Sequence, residues 1–262
     1  MIEFLPISSQ FEDVLDGANF VIGIPSFGNL GQSALDVIVS TLNAVQAENV
    51  KLVGFGESEY LLPMAGYESF SGSDRHLSSP LEFYQLRDTK TIFVFIRSIC
   101  REGEDSFFSK SVSEFLQNKN YASALLLVGA SSDEWDVNAM SKTSPFFSFA
   151  APTDTQAILQ KTWRISEPKD AVLINQSNQY FPFGTELAAD IFSDLKERVT
   201  ILGKFSLGGM NHNIEALSLP LFIINELELL GTQKRLEINA VRTPLSWKVI
   251  NNPHNTDLFP VW

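Results

Sequence analysis

The sequence predicts a single-domain α/β/α sandwich with a mixed, mostly parallel sheet and one β-hairpin, and three observations carry that reading. Short apolar runs ending at glycine or proline alternate with helical stripes. One run, Thr91 to Ile96, is apolar at nearly every position, the pattern of a strand covered on both faces. Two runs, Leu81 to Leu86 and Thr91 to Ser98, flank the segment Arg87-Asp88-Thr89-Lys90, the pattern of a hairpin.

The elements follow in order. Ala18 to Ile24 is an apolar run closed by Pro25, and a glycine-containing turn comes next, Ser26 to Gly31. Leu35, Ile38, Val39, Leu42 and Val45 then recur at helical spacing. Val50 to Phe55 is the next strand. Strand, helix and strand in so short a span predict a βαβ unit with a parallel pair. Residues 56–80 read as loop. After the hairpin, Phe108, Val112, Phe115 and Leu116 mark a helix, and Ala122 to Val128 a strand. Residues 131–182 show no clean period and are read as insertions and short helices. Val199 to Phe205 is a strand in which Gly203 signals a bulge or a close approach of backbone. A helix from about Asn213 to Leu230 carries Ile214, Leu217, Leu221, Ile224 and Leu227 on one face, and Pro220 kinks or splits it. From about residue 239 the tail is irregular. No linker divides the chain, so residues 1–262 are expected to form one domain.

Composition excludes several function classes. With 44% hydrophobic and 19% charged residues, the chain is not disordered. A net charge of −12 lacks the basic footprint that duplex DNA needs. The single cysteine, Cys100, excludes an internal disulfide and a cysteine-built zinc site. No basic and apolar leader opens the sequence, and the apolar stretch from Leu217 to Ile224 is too short to span a bilayer. A cytoplasmic protein is expected. Residues 1–74 hold ten acidic side chains and one basic, Lys51, so they supply most of the charge. Such a face either solubilises the chain or meets a basic partner.

Catalytic signals are weak. The turn Gly28-Asn29-Leu30-Gly31-Gln32 opens a helix, a place where free N–H groups can bind phosphate. It is neither G-x-G-x-x-G nor a P-loop, and Gly28 and Gly31 equally suit a tight turn with close strand–helix packing. A phosphorylase-like or nucleotide-binding enzyme using this turn is the alternative function. His76, His212 and His254 fall in predicted loops without metal-binding spacing, and Cys100 reads as structural. No catalytic residue, metal or cofactor is expected. The 21 phenylalanines point elsewhere. Phe107-Phe108 and Phe146-Phe147 are adjacent pairs whose members cannot all face one core, so some are expected at the surface, where they suit a protein interface. The terminal run Leu258, Phe259, Val261 and Trp262 is apolar and ends in a carboxylate, which suits insertion into a pocket.

Several segments resemble the proteasome assembly chaperone family. Ile24 to Val45, with its strand, G-N-x-G-Q turn and long helix, is similar to that family's N-terminal signature. Ser79 to Ile99 resembles its hairpin with a terminal Arg-Ser, Lys142 to Phe147 its Ser/Thr-Pro-Phe segment, and Thr243 to Ile250 its Pro-Ser-Trp segment. The resemblance implies a non-enzymatic chaperone, in the cytoplasm and nucleus, with a fold distantly like nucleoside phosphorylases. It implies pairing with assembly chaperone 1 as a heterodimer on the proteasome α-subunit ring, with no nucleic acid or membrane partner. Gly28, Asn29, Gly31 and Gln32 then form a structural turn or a partner interface. Leu258, Phe259, Val261 and Trp262 form a docking tail for the α ring. Some relatives end in a hydrophobic-Tyr-X motif, where this chain has Pro260-Val261-Trp262, and the usually acidic loop before the last helix reads Gly208 to Asn213.

Overall fold

Alternation of apolar side chains along the strands decides where the helices lie. The structure, a computed structural model, describes residues 1–46, 48–68, 76–131, 146–150, 171–173, 184–195, 197–206, 214–226, 236–244 and 247. Its strands are β1 (Ile2–Pro6), β2 (Asn19–Gly23), β3 (Val50–Ser58), β4 (Gly66–Glu68), β5 (His76–Ser78), β6 (Leu81–Leu86), β7 (Thr91–Ile96), β8 (Ser123–Ser131), β9 (Phe146–Ala150), β10 (Ala171–Leu173) and β11 (Val199–Ser206). The helices are α1 (Leu30–Val45), α2 (Asp105–Asn118), α3 (Glu186–Leu195) and α4 (Ile214–Glu226). None of them is long and apolar enough to cross a membrane.

Nine strands form one sheet in the order β1-β3-β6-β7-β2-β8-β11-β9-β10, and β4 and β5 pair separately. Phe20, Ile22, Ile92, Val94, Leu126 and Val128 point to one face, where Phe108, Val112 and Leu116 of α2 and Leu187 and Ile191 of α3 cover them. Val21, Phe93, Phe95, Leu125 and Leu127 point to the other, beneath Leu35, Ile38 and Leu42 of α1 and Leu219 and Ile223 of α4. The predicted helix-covered central strand is β7, buried at every residue.

The sheet is mixed, but less parallel than the sequence suggested. β7-β2, β2-β8, β8-β11 and β9-β10 run parallel. β1-β3, β3-β6, β6-β7 and β9-β11 run antiparallel. β2 and β3 flank α1 as expected and point the same way, yet the β6-β7 hairpin lies between them, so they are not neighbours. The hairpin spans the predicted residues.

Other expectations shift in detail. β11 keeps its register with β8 throughout, so Gly203 marks a close approach: a side chain there would overlap the Phe147 ring. The bulge lies instead in β3, between Leu52 and Gly54. Within residues 131–182 the described pieces beyond the end of β8 are the strands β9 and β10; the short helices expected there lie outside the described residues. α4 runs unbroken through Pro220. It is apolar on two sides. Leu219, Ile223 and Ile224 face the sheet, while Leu217 and Leu221 pack beside Val37, Val241 and Trp247. The irregular segment from residue 236 thus returns to α1, where the Arg242 N–H donates to Thr41 Oγ1 at 2.9 Å.

Candidate functional site

Strands β2, β3, β7 and β8 all end on the same side of the molecule, the side where open α/β sheets usually bind ligands. Among the described residues two structures stand out there. One is the turn that opens α1. Gly28 and Asn29 both take the left-handed conformation, at φ 66° and 53°, and reverse the chain within a 3₁₀ turn. The Ile24 N–H donates to the Leu127 carbonyl at 3.0 Å. Ser26 Oγ donates to the Ile24 carbonyl at 3.0 Å and accepts from the Gly129 N–H at 2.8 Å. A side chain on Gly31 would overlap the Leu127 carbonyl, and one on Gly129 the Phe27 carbonyl. The helix opening therefore sits backbone to backbone on β8. Asn29 is exposed and its side chain makes no capping bond, and Gln32 is half-buried. The structure brings Gly28, Asn29, Gly31 and Gln32 together as a tight turn. Leu258, Phe259, Val261 and Trp262 lie outside the described residues.

The second structure follows β7 and was not read from the sequence. Residues 60–62 pair with residues 99–101: the Arg101 N–H donates to the Tyr60 carbonyl at 2.8 Å and the Leu62 N–H to the Ile99 carbonyl at 3.0 Å. Ser98 Oγ also donates to the Leu62 carbonyl, at 2.6 Å. Leu61 and Cys100 face the core together, which by alternation turns Leu62 and Ile99 outward. The Tyr60 ring stacks on Phe107, with centroids 6.1 Å apart. Phe108 is buried whereas Phe107 is 58% exposed, so the adjacent pair splits between core and surface as expected.

Arg97 ties the two structures together. Its Nη1 lies 3.0 Å from Asp36 Oδ1 on α1, and its Nε 2.8 Å from Glu82 Oε2 on β6. Ser78 Oγ donates to Glu82 Oε1 at 2.9 Å and the Tyr84 hydroxyl to Glu82 Oε2 at 3.2 Å. The guanidinium carbon lies 4.4 Å from the Phe95 ring centroid. The sequence signal was the Arg-Ser ending the hairpin; nothing in it pointed to Asp36 or Glu82.

The chemistry these groups offer is limited. Burial, with Asp105 and Glu104 adding to it, pushes the half-buried Cys100 thiol up to about 12, so the nucleophilic thiolate is scarce at neutral pH. Burial and Glu59 likewise raise the Tyr60 phenol. His76 belongs to β5, not a loop; His212 and His254 lie outside the described residues. Among the described residues no group of three or more His, Cys, Asp or Glu side chains is placed to hold a metal.

Compared with known proteins, the chain is 24% identical over 263 residues to "Proteasome assembly chaperone 2" of Homo sapiens, an alignment covering 94% of this chain and 96% of that one. The chain is thus similar, along nearly the whole of both sequences, to a proteasome assembly chaperone. The Mus musculus protein of the same name is 28% identical over 156 residues, 57% of this chain and 56% of that one. No family model matches. Among solved structures, Pyrococcus furiosus PbaB, described as an archaeal proteasome activator, superposes with a TM-score of 0.58 at 14% identity, covering 97% of this chain and 95% of that one. Pyrococcus furiosus PbaA, described as an archaeal homolog of proteasome-assembly chaperone, gives a TM-score of 0.57 at 13% identity over 98% and 91%. At such identities these two structures establish the shared fold. In this chain the G-N-x-G-Q turn is the one packed against β8, and Trp247 joins the α1–α4 contact.

Proposed function

We propose that this chain is a non-enzymatic chaperone for assembly of the proteasome core particle, acting in the cytoplasm and nucleus. It works as a heterodimer with a second assembly chaperone, and the pair binds the α-subunit ring. The observation that carries this reading is the match along nearly the full length of both chains to a protein named for that role. The geometry agrees with it. The turn at the start of α1, where an enzyme of this architecture holds phosphate, packs tightly on the backbone of β8 and matches neither glycine-rich phosphate motif. Large apolar side chains stand in solvent nearby, as an interface requires.

Co-expression with the second chaperone tests the reading. The expected product is a 1:1 complex that elutes as one species and binds isolated α-subunit rings. A chain that elutes alone and binds no ring overturns it. The competing enzymatic reading predicts saturable thermal stabilisation by phosphate, a nucleoside or ATP, worth about 2.7 kcal/mol at a hundredfold excess over Kd; no shift is expected. Deleting residues 259–262 tests the docking tail. Loss of ring binding at unchanged melting temperature supports docking. A lower melting temperature, or no effect on either, rejects it.

A further inference from the structure

We propose that the outward face of the Tyr60–Leu62 and Ile99–Arg101 pairing, continued along the edge of α2, is the seat of the heterodimer partner, and that the partner presents aliphatic side chains flanked by Lys or Arg. The inference rests on the chaperone reading above for its choice of a protein occupant. Ile99 is 65% exposed, Phe107 58% and Leu62 40%. They are held rather than loose. Ile99 and Leu62 sit on a backbone pairing that Ser98 buttresses, and Phe107 is stacked against Tyr60. A preorganised apolar face loses little conformational freedom when it is covered.

Carboxylates border this face. Glu59, Glu104 and Glu114 all act on the Tyr60 phenol, and Asp105 and Glu104 act on the Cys100 thiol. Among the described ion pairs, Glu59 meets only the terminal ammonium of Met1, at 3.1 Å, and none involves Glu104, Asp105 or Glu114. Arg101 and Lys110 are the exposed cations beside them. Glu114 also borders a cleft of about 380 Å³ between β1 and α2, whose walls include Ile2, Phe4 and Phe115 and whose rim adds the acids Glu3 and Glu12 and the cations of Met1 and Lys119, the latter paired with Asp16. The face is therefore apolar at its centre and carries more carboxylates than cations around it, and it ends in a groove with room for side chains.

That charge selects the occupant. A second copy of this chain would set a net-acidic border against itself across the same face, so self-pairing is disfavoured, and nucleic acid is disfavoured for the same reason. A basic-rimmed protein is attracted. The exposed apolar area favours a permanent partner over a passing client, because permanent interfaces are the more hydrophobic kind and keep such area out of water throughout.

The test uses the full chain with two purified probes, the second chaperone and the α-subunit ring. Phe107→Ser and Ile99→Ser are made separately, with Glu104→Lys/Asp105→Lys as a charge variant. Ile99 and Phe107 are exposed, so the apolar variants should melt with the parent. The charge variant puts two cations at the N-terminus of α2 and should melt slightly lower, so its binding is read at a temperature where it is fully folded. The apolar variants should weaken binding of the second chaperone by about thirtyfold or more, as loss of a central anchor does. The charge variant should slow association about tenfold at low salt, with the difference vanishing at high salt. Unchanged affinity for the second chaperone in both apolar variants overturns the proposal while leaving the chaperone reading intact. Loss of ring binding with the heterodimer preserved also overturns it, since the face then belongs to the ring. If the parent chain binds neither probe, both readings fall together.

Discussion

Two neighbouring regions at one end of the sheet use the same local device to opposite ends. At the start of α1 the chain folds back so closely that glycines 31 and 129 are needed to let backbone meet backbone. After β7 the chain also folds back and pairs with residues 60–62, but it lifts Leu62 and Ile99 into solvent and leaves Phe107 beside them. The end of an α/β sheet that commonly holds a small ligand is thus packed by backbone on one side and carries exposed apolar side chains on the other. Site position follows from the fold, but what the site takes depends on whether backbone or side chain fills it.

The comparison breaks most severely at Arg97, which joins the two regions through Asp36 and Glu82. Arg97→Met leaves both carboxylates buried without their cation, and loss of one partner from a buried ion pair costs about 3–5 kcal/mol. Urea unfolding should show this as a lower midpoint, and both regions should loosen together in hydrogen exchange. Protection lost around residues 99–101 alone would mean that the regions are independent. Gly31→Val comes next. Forcing a branched side chain into the Leu127 carbonyl costs about 1–3 kcal/mol by overpacking, and more where backbone cannot move. An unchanged melting temperature would show that the turn has slack and that the filled region is not filled.

A smaller effect belongs to the open region. Cys100 holds its proton up to about pH 12 in the folded chain, against 9.0 ordinarily. The unfolded chain therefore releases this proton first as pH rises. The stabilising contribution is complete below about pH 9 and is lost as pH climbs towards about 12. Urea midpoints measured across that window should fall more steeply for the parent than for Cys100→Ala. Parallel curves would mean that the thiol is not desolvated and that the Leu61–Cys100 pairing is looser than the structure has it.

Much of this was legible in the sequence, for specific reasons. Helices α1 and α2 and strands β6, β7 and β8 bury one full period of apolar residues each, so their patterns were plain. The turn at Gly28 and Gly31 announced itself through its glycines. Strand order was not legible: a βαβ pattern gives direction but not adjacency, and the β6-β7 hairpin inserts between β2 and β3 without altering either pattern. The face at Tyr60, Leu62 and Ile99 was hidden because a single paired bridge has no periodicity, and residues 56–80 read as loop. Only the Phe107-Phe108 doublet hinted at it. The Arg97 network was invisible for a related reason, since its members lie 15 and 61 residues apart and burial of charge leaves no local pattern.

The smallest effect discriminates the two roles left for the filled turn. Asn29 sits at φ 53° and ψ 28°, exposed and without a capping bond from its side chain. Its place depends on tolerance of a left-handed backbone, which asparagine accepts better than alanine and glycine best of all. Asn29→Ala should keep the fold at a cost of about 1 kcal/mol, and Asn29→Gly should match the parent or exceed it slightly. For a chain of this size, about 1 kcal/mol moves the melting temperature by about 2–4 °C. If stability follows that order and both variants bind the second chaperone as the parent does, the turn is structural and the interface lies wholly on the Tyr60–Phe107 side. If Asn29→Gly is as stable as the parent yet binds the second chaperone tenfold more weakly, the Asn29 side chain touches the partner, and the two regions form one interface rather than a filled half and an open one.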